Sequence, residues 1–151
     1  MTLQIRPMLQ SDIDTVHIIE SSAHHTPWSH DILRDCVLVG YDCRVLELIE
    51  EHNKKIVGYI ICRYSVKSCH ILNLCVACSE QGKGYGKFLL QAVFDSFQQS
   101  DINTVILEVR PSNKVAIALY KKFGFQKDSI KEGYYKDEKG EEDAILLKKT
   151  F

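Results

Sequence analysis

The sequence lacks any apolar run long enough to span a bilayer, has no internal repeat or low-complexity tract, and holds only three prolines and one tryptophan. A membrane span needs about 20 apolar residues, so no membrane partner is expected. The start, Met1-Thr2-Leu3-Gln4-Ile5-Arg6-Pro7, lacks the basic residues and apolar core of a secretory signal, which leads to an expected cytoplasmic location. Charge of one sign is also missing: 19 Lys and Arg stand against 20 Asp and Glu, for a formal net charge of -1. Domains whose main affinity is for phosphate backbones carry a basic excess, so direct nucleic-acid binding is not expected. Six cysteines (Cys36, Cys43, Cys62, Cys69, Cys75, Cys78) are present, but in a cytosolic chain they are expected as reduced thiols, several packing as small hydrophobes. Cys75-x-x-Cys78 has no second pair and ends a strand instead of opening a helix, so neither a metal site nor redox chemistry is expected there.

What is present fits a globular chain: 151 residues, 45% hydrophobic and 26% charged, the size of one ordinary domain spanning 1–151. Leu3 to Arg6 reads as a strand, followed by a helix capped by Ser11 with Ile13, Val16, Ile18 and Ile19 as its apolar stripe. After the loop Ala23 to Trp28, Ser29 caps a second short helix carrying Ile32, Leu33 and Cys36. Arg44–Glu51 and Lys55–Tyr64 form a hairpin around His52-Asn53-Lys54, and His70–Ala77 is a further strand. A helix over Lys87–Gln99 follows the glycines, with Leu89, Ala92, Val93 and Phe97 inward. Thr104–Val109 is a compact buried strand, and Asn113 opens a helix with Val115, Ala116, Ala118, Leu119 and Phe123, closed by Gly124. Two last strands, Phe125–Lys136 and Asp143–Lys149, flank a turn at Lys139-Gly140. The order β-α-α-β-β-β-α-β-α-β-β implies an α/β or α+β fold, with a mixed, mostly antiparallel sheet and helices on its faces.

The densest signal is Gln81-Gly82-Lys83-Gly84-Tyr85-Gly86. Alternating glycines permit a tight turn, and the following helix aims free N–H groups and its positive dipole end at that turn, so an anion fits there. The glycines could also serve only to join strand to helix. A P-loop requires Gly-Lys followed by Ser or Thr, whereas Gly86-Lys87 is followed by Phe88. A dinucleotide fingerprint requires a sixth-position glycine, whereas Lys87 or Leu89 stands there. Neither nucleotide motif fits.

The segment resembles the Gln/Arg-x-x-Gly-x-Gly/Ala signature of the GNAT superfamily of acyl-CoA-dependent N-acetyltransferases. Pro27-Trp28-Ser29, Leu107-Glu108-Val109-Arg110, Ser112-Asn113, Ala116-Ile117-Ala118-Leu119-Tyr120, Gly124-Phe125, Tyr134-Tyr135 and Glu142-Asp143-Ala144 are similar to blocks of the RimI-type ribosomal-protein alanine N-acetyltransferases, in that order. The likeness covers nearly the whole chain. Two positions depart from it: Ala77-Cys78 stands where an Asp-Pro pair is frequent, and Lys136 replaces the proline that commonly follows the paired tyrosines. The second departure bears on the acceptor more than on the chemistry.

The resemblance implies acetyl-CoA as co-substrate, no metal, and direct attack by an amine in a ternary complex. Gln81, Gly82, Lys83, Gly84, Tyr85, Gly86 and Lys87 would hold the pyrophosphate, with Asn113 a further cofactor contact that is also a helix N-cap. Leu74, Cys75 and Val76 would offer strand backbone to the pantetheine arm and an N–H to the oxyanion. Glu108 is implied as general base, although in a lone strand it could equally face solvent or pair with Arg110. Tyr120 is implied as general acid, although a tyrosine in such a helix is commonly core filler; a phenol, with a reference pKa of about 10, keeps its proton at neutral pH. Trp28, Tyr134 and Tyr135 fall where the acceptor would bind.

An α-amino group, with a pKa of about 7.7 to 8.0, loses its proton far more readily than a lysine at about 10.4. That favours a protein N-terminus as partner, by resemblance the alanine terminus of a small-subunit ribosomal protein. A lysine side chain, another protein terminus and a small amine remain the competing acceptors, and a catalytically silent acyl-CoA-binding module is the competing class.

Overall fold

The computed structural model describes residues 1–137 and 140–151; the turn expected at Lys139-Gly140 therefore falls partly outside the described residues. Contacts divide the chain into two compact units, Met1–Arg63 with Asn73–Gln99, and Tyr64–Leu72 with Ser100–Phe151. The strand β4 (Ser68–Val76) contributes to both.

In the first unit, β1 (Thr2–Pro7) pairs antiparallel with β2 (Asp42–Glu50), and β2 with β3 (Asn53–Tyr64). The end of β4 follows β3 in the hydrogen-bonded order. The hairpin turn is shorter than the sequence suggests. Asn53 and Lys54 already pair with β2, which leaves Glu51 to adopt a φ of 43°. Helix α1 (Ile13–Ala23) is not capped by Ser11: a short 3-10 turn, Gln10–Asp12, precedes it, and the Asp12 carboxylate accepts from the Leu9 N–H at 2.7 Å. Ile13, Val16 and Ile19 are buried as expected, whereas Ile18 is 66% exposed, because the helical period turns it away. Helix α2 (His30–Leu38) is capped as expected, Ser29 Oγ accepting from Ile32 N–H at 3.1 Å. Helix α3 (Tyr85–Asp95) begins and ends earlier than its apolar spacing implies, so Phe97 packs from the turn beyond it. At Gly58 a Cβ would sit 2.9 Å from the Cys75 carbonyl oxygen and 3.2 Å from Leu89. Only glycine lets β3 run this close to β4 and α3.

In the second unit the order is β4-β5-β7-β6. The first half of β4 runs parallel to β5 (Thr104–Val109), from Ser68↔Thr104 to Ile71↔Leu107, and the register ends there. Strand β7 (Gly140–Thr150) pairs antiparallel with β5 and with β6 (Gln126–Asp137). Helix α4 (Lys114–Lys122) buries Tyr120, while Val115, expected inward, is 82% exposed. The register between β6 and β7 shifts between Lys131 and Tyr135, where Gly133 N–H donates instead to Asp143 Oδ1 at 3.0 Å. That irregularity sets the positions of Tyr134 and Tyr135. The order of strands and helices is the one read from the sequence, and the sheet is mixed, with its described pairings antiparallel except β4 with β5.

Candidate active site

The first unit carries the glycine turn. Gly82 and Gly84 have φ of 80° and 83°, in the left-handed region, and a Cβ built at either meets nothing within 4 Å. These glycines are required by backbone conformation, and the space beside them is open. Gly84 is the N-cap of α3 and supplies no side-chain cap; the helical ladder begins with Phe88 N–H to Gly84 C=O at 3.0 Å. The N–H groups of the first turn of an 11-residue helix therefore face outward with the positive end of its dipole, which suits a pyrophosphate. Gln81 Nε2 closes the turn by donating to Val76 C=O at 3.2 Å. Lys83 Nζ is held by Glu80 at 2.8 Å, with Lys55 on the other oxygen at 3.0 Å. The hydrogen bond it donates to Glu80 raises the Lys83 ammonium above its usual range. Lys87 lies exposed on the helix, and Tyr85 is buried.

Leu74, Cys75 and Val76 lie on β4 beyond the last residue registered with β5. An unregistered strand edge offers N–H and C=O groups to an extended ligand. Burial pushes the Cys75 thiol up to about 12, so it remains a protonated, packed thiol. All six cysteines are free, and only Cys78 is exposed.

Close to this edge lies Glu20, which sequence reasoning missed and which is 1% exposed. Its carboxylate accepts from Tyr59 OH, from Asn73 Nδ2 at 2.9 Å and from the Trp28 N–H at 3.0 Å, with His24 Nε2 at 3.4 Å. Burial, before any other influence, pushes the Tyr59 phenol upward. Glu20, His24 and Cys75 place ligand-type atoms within 4.8 Å of one another. The carboxylate is already committed to three donors and the thiol is protonated, while the buried His24 Nε2 beside them makes no hydrogen bond. The Glu20 carboxylate fixes Trp28, at the expected acceptor position, to α1 and β4.

The second unit carries Glu108, whose side chain is 8% exposed. Its partners are His70, whose Nε2 lies 2.6 Å from Oε2, and Lys131, whose Nζ lies 2.8 Å from Oε1. Arg110 instead reaches Glu142 at 3.2 Å and stacks 4.2 Å above the Tyr135 ring. Burial alone would raise the Glu108 carboxyl, but the hydrogen bonds and charges of His70 and Lys131 outweigh it and hold the group at about 2. Sequence reasoning missed both partners. The available signal was parity, since His70 pairs with Ile106 on β5 and Glu108 is two residues further on the same face.

Lys131 Nζ also lies 5.3 Å from the Tyr134 ring, which packs edge-on against Tyr135 at 4.9 Å. Burial pushes the Tyr135 phenol up to about 12. Tyr134 is 50% exposed, an aromatic surface beside the charged cluster. Tyr120 packs edge-on against Phe125 at 5.5 Å, and Asn113 Oδ1 caps α4 by accepting from Ala116 N–H at 3.2 Å. The candidate residues thus divide: Trp28, Leu74, Cys75, Val76 and Gln81 to Lys87 lie in the first unit, and Glu108, Asn113, Tyr120, Tyr134 and Tyr135 in the second.

Comparison with known proteins bears on the family of the chain. The model of the acetyltransferase (GNAT) family matches residues 12–125. The [ribosomal protein bS18]-alanine N-acetyltransferase of Haemophilus influenzae is 34% identical over 90% of this chain and 90% of its own. Its Escherichia coli K12 counterpart is 31% identical over 91% and 90%. The crystal structure of the ribosomal-protein-S18-alanine N-acetyltransferase from Escherichia coli superposes with a TM-score of 0.87 at 29% identity, covering 99% of this chain and 94% of that one. A glycine turn of the required conformation at an uncapped helix start, within a chain matched over this extent, has one family reading: the protein belongs to the acetyltransferase (GNAT) family.

Proposed function

We propose that this chain transfers the acetyl group of acetyl-CoA to the N-terminal α-amine of a protein, its acceptor being the alanine terminus of ribosomal protein bS18, the substrate named for its relatives in Haemophilus influenzae and Escherichia coli. The observation that carries the chemistry is the Gly82–Gly84 turn at the start of α3. When bound there, acetyl-CoA supplies an activated acyl group. Gly82 to Lys87 hold its pyrophosphate by backbone N–H groups, with Lys83 and Lys87 as adjacent cations. Leu74 to Val76 pair with the extended arm, and a backbone N–H of that edge polarises the thioester oxygen.

The residues of the second unit handle protons. Glu108 as general base removes a proton from the acceptor ammonium, and Tyr120 as general acid protonates the departing thiolate. Asn113 adds a cofactor contact at the start of α4. Trp28, Tyr134 and Tyr135 supply aromatic surface for the first residues of the acceptor, and residues 1–151 are assigned as a single N-acetyltransferase domain.

The test is mass spectrometry of peptides incubated with the chain and acetyl-CoA: the bS18 amino terminus, the same peptide with a blocked α-amine, lysine-containing peptides and polyamines. Acetylation of the free alanine terminus alone is expected. Acetylation confined to lysine or polyamines would move the acceptor while keeping the chemistry. Tight acetyl-CoA binding with no acceptor turned over would mark a silent binding module.

A further inference from the structure

The two tyrosines assigned to the acceptor lie where the ladder between β6 and β7 is interrupted. Lys131 is the last registered residue before the shift, and Tyr135, opposite Glu142, is the first after it. A ring at such a point is not aligned by continuous strand pairing, so side-chain contacts have to set it. For Tyr135 that contact is Arg110, whose guanidinium carbon lies 4.2 Å from the ring centroid. A planar guanidinium over an aromatic face is attracted to it, and the attraction depends on the plane staying in place.

The long Arg110 side chain is restrained at both of its ends. Its Nη1 donates to Glu142 Oε1 at 3.2 Å. Its backbone carbonyl accepts from the Asn113 N–H at 3.0 Å, which closes the turn between β5 and α4. Glu142 is pinned to that same turn, since Oε2 accepts from the Ser112 N–H at 2.9 Å and Oε1 from Ser112 Oγ at 3.0 Å. The Ser112 backbone bond, ahead of the other influences, holds the Glu142 carboxyl below its ordinary range, so it is ionised at neutral pH. A charge-assisted bond to a guanidinium is stronger and more directional than a neutral one. One carboxylate on β7 therefore joins the turn before α4, the guanidinium, and the strand position of the ring.

We infer that Glu142 is a positioning residue of the acceptor site: anchored on Ser112, it holds Arg110 over Tyr135 and so fixes the ring against which the first residues of the acceptor bind. The inference rests on the proposed assignment of Tyr135 to the acceptor. Glu142 acts through Arg110 and takes no part in the proton transfers assigned to Glu108 and Tyr120. Its loss is thus felt in acceptor binding, with the chemical step and the acetyl-CoA site retained.

The experiment uses the full chain as wild type, Glu142→Gln, Tyr135→Ala and the double variant, with an alanine-terminal peptide and acetyl-CoA. Glutamine can turn its oxygen to the Ser112 N–H and keep the turn, but its NH2 group then faces Arg110, a donor against a donor. Glu142→Gln is expected to raise KM for the peptide about tenfold, the size of one hydrogen bond to a charged group. Its kcat should stay within about twofold, and its acetyl-CoA affinity by calorimetry should not change. In the Tyr135→Ala background the same substitution is expected to alter peptide kcat/KM by less than about twofold, because the ring it positions is gone. A residue that served folding alone would show its full increment in both backgrounds. An unchanged peptide KM in Glu142→Gln overturns the inference, as does an equal increment with and without the ring, or a loss of acetyl-CoA affinity as large as the rise in peptide KM. Tyr135→Ala with wild-type peptide KM overturns the acceptor assignment of that ring, and a wild-type chain that acetylates no α-amine overturns the proposed function; either result takes this inference with it. Where Tyr135→Ala does not fold, Tyr135→Leu replaces it in the cycle.

Discussion

At the scale of single residues, two carboxylates define the chemistry of the two units. Glu20 is an acidic side chain at 1% exposure, tolerated because Tyr59, Asn73 and the Trp28 backbone all donate to it. Glu20→Ala leaves those donors buried without an acceptor and is expected to destabilise by about 3 kcal/mol or more. Glu20→Gln, which keeps the shape, should cost less. Urea unfolding reads both. If the network also sets Trp28, Glu20→Gln will raise KM for the peptide more than for acetyl-CoA. Tyr120→Phe distinguishes acid from filler: the ring keeps its packing on Phe125, so kcat should fall about tenfold or more with no change in thermal midpoint. A variant with unchanged kcat would leave Tyr120 as core.

At the scale of elements, the junction between β4 and α3 is where sequence and backbone agree most closely. The left-handed φ at Gly82 and Gly84 makes any side chain there strained by roughly 1 to 2 kcal/mol. Because nothing of the protein lies within 4 Å of an added Cβ, Gly84→Ala should fold with modestly reduced stability. Its effect on acetyl-CoA affinity should exceed that on stability, a weakening of about 100-fold or more corresponding to roughly 2.8 kcal/mol. Calorimetry beside thermal denaturation measures the two. Gly58 behaves oppositely, since its Cβ would meet the Cys75 backbone at 2.9 Å. Gly58→Ala is expected to cost about 1 to 3 kcal/mol by overpacking and to disturb β4 at the edge assigned to the thioester. The element boundaries that sequence spacing misplaced have local causes. Asp12, drawn into bonds with Arg6 and Leu9, replaces Ser11 at the start of α1, and a 3-10 turn intervenes.

At the scale of the whole molecule, acid sensitivity follows from the carboxylates. Hydrogen bonding to Arg6 lowers Asp12, Lys83 and Lys55 lower Glu80, His70 and Lys131 bring Glu108 to about 2 against its burial, and the Ser112 backbone lowers Glu142. A carboxyl depressed in the folded state contributes stability that is fully present above its unfolded pKa and is lost as pH falls through the folded value. The thermal midpoint should therefore hold at neutral pH and decline below about pH 4.5, where the unfolded chain begins to bind more protons. Glu108→Gln should flatten the lower part of that decline. Among the described residues no helix is long and apolar enough to cross a membrane.

The order of strands and helices was legible because it depends on local periodicity, caps and glycines, as at Ser29, Thr104–Val109 and Asn113. The glycine turn was legible for the same reason: its conformation is imposed by Gly82 and Gly84, two positions apart. Local pattern cannot report what a side chain meets across strands or between helix and strand. Glu108 was recognisable as an oddity in TVILEV, but its partners lie 38 positions before it and 23 after it. Glu20, beside Ile19 on an amphipathic helix, carried no mark of burial, because its donors come from β3, β4 and the loop after α1. The sequence by itself determined the elements and the glycine turn before α3, since backbone conformation is chosen residue by residue. Only the tertiary structure decided which groups hold the protons, since a carboxylate's charge and basicity depend on the donors that folding brings within 3 Å.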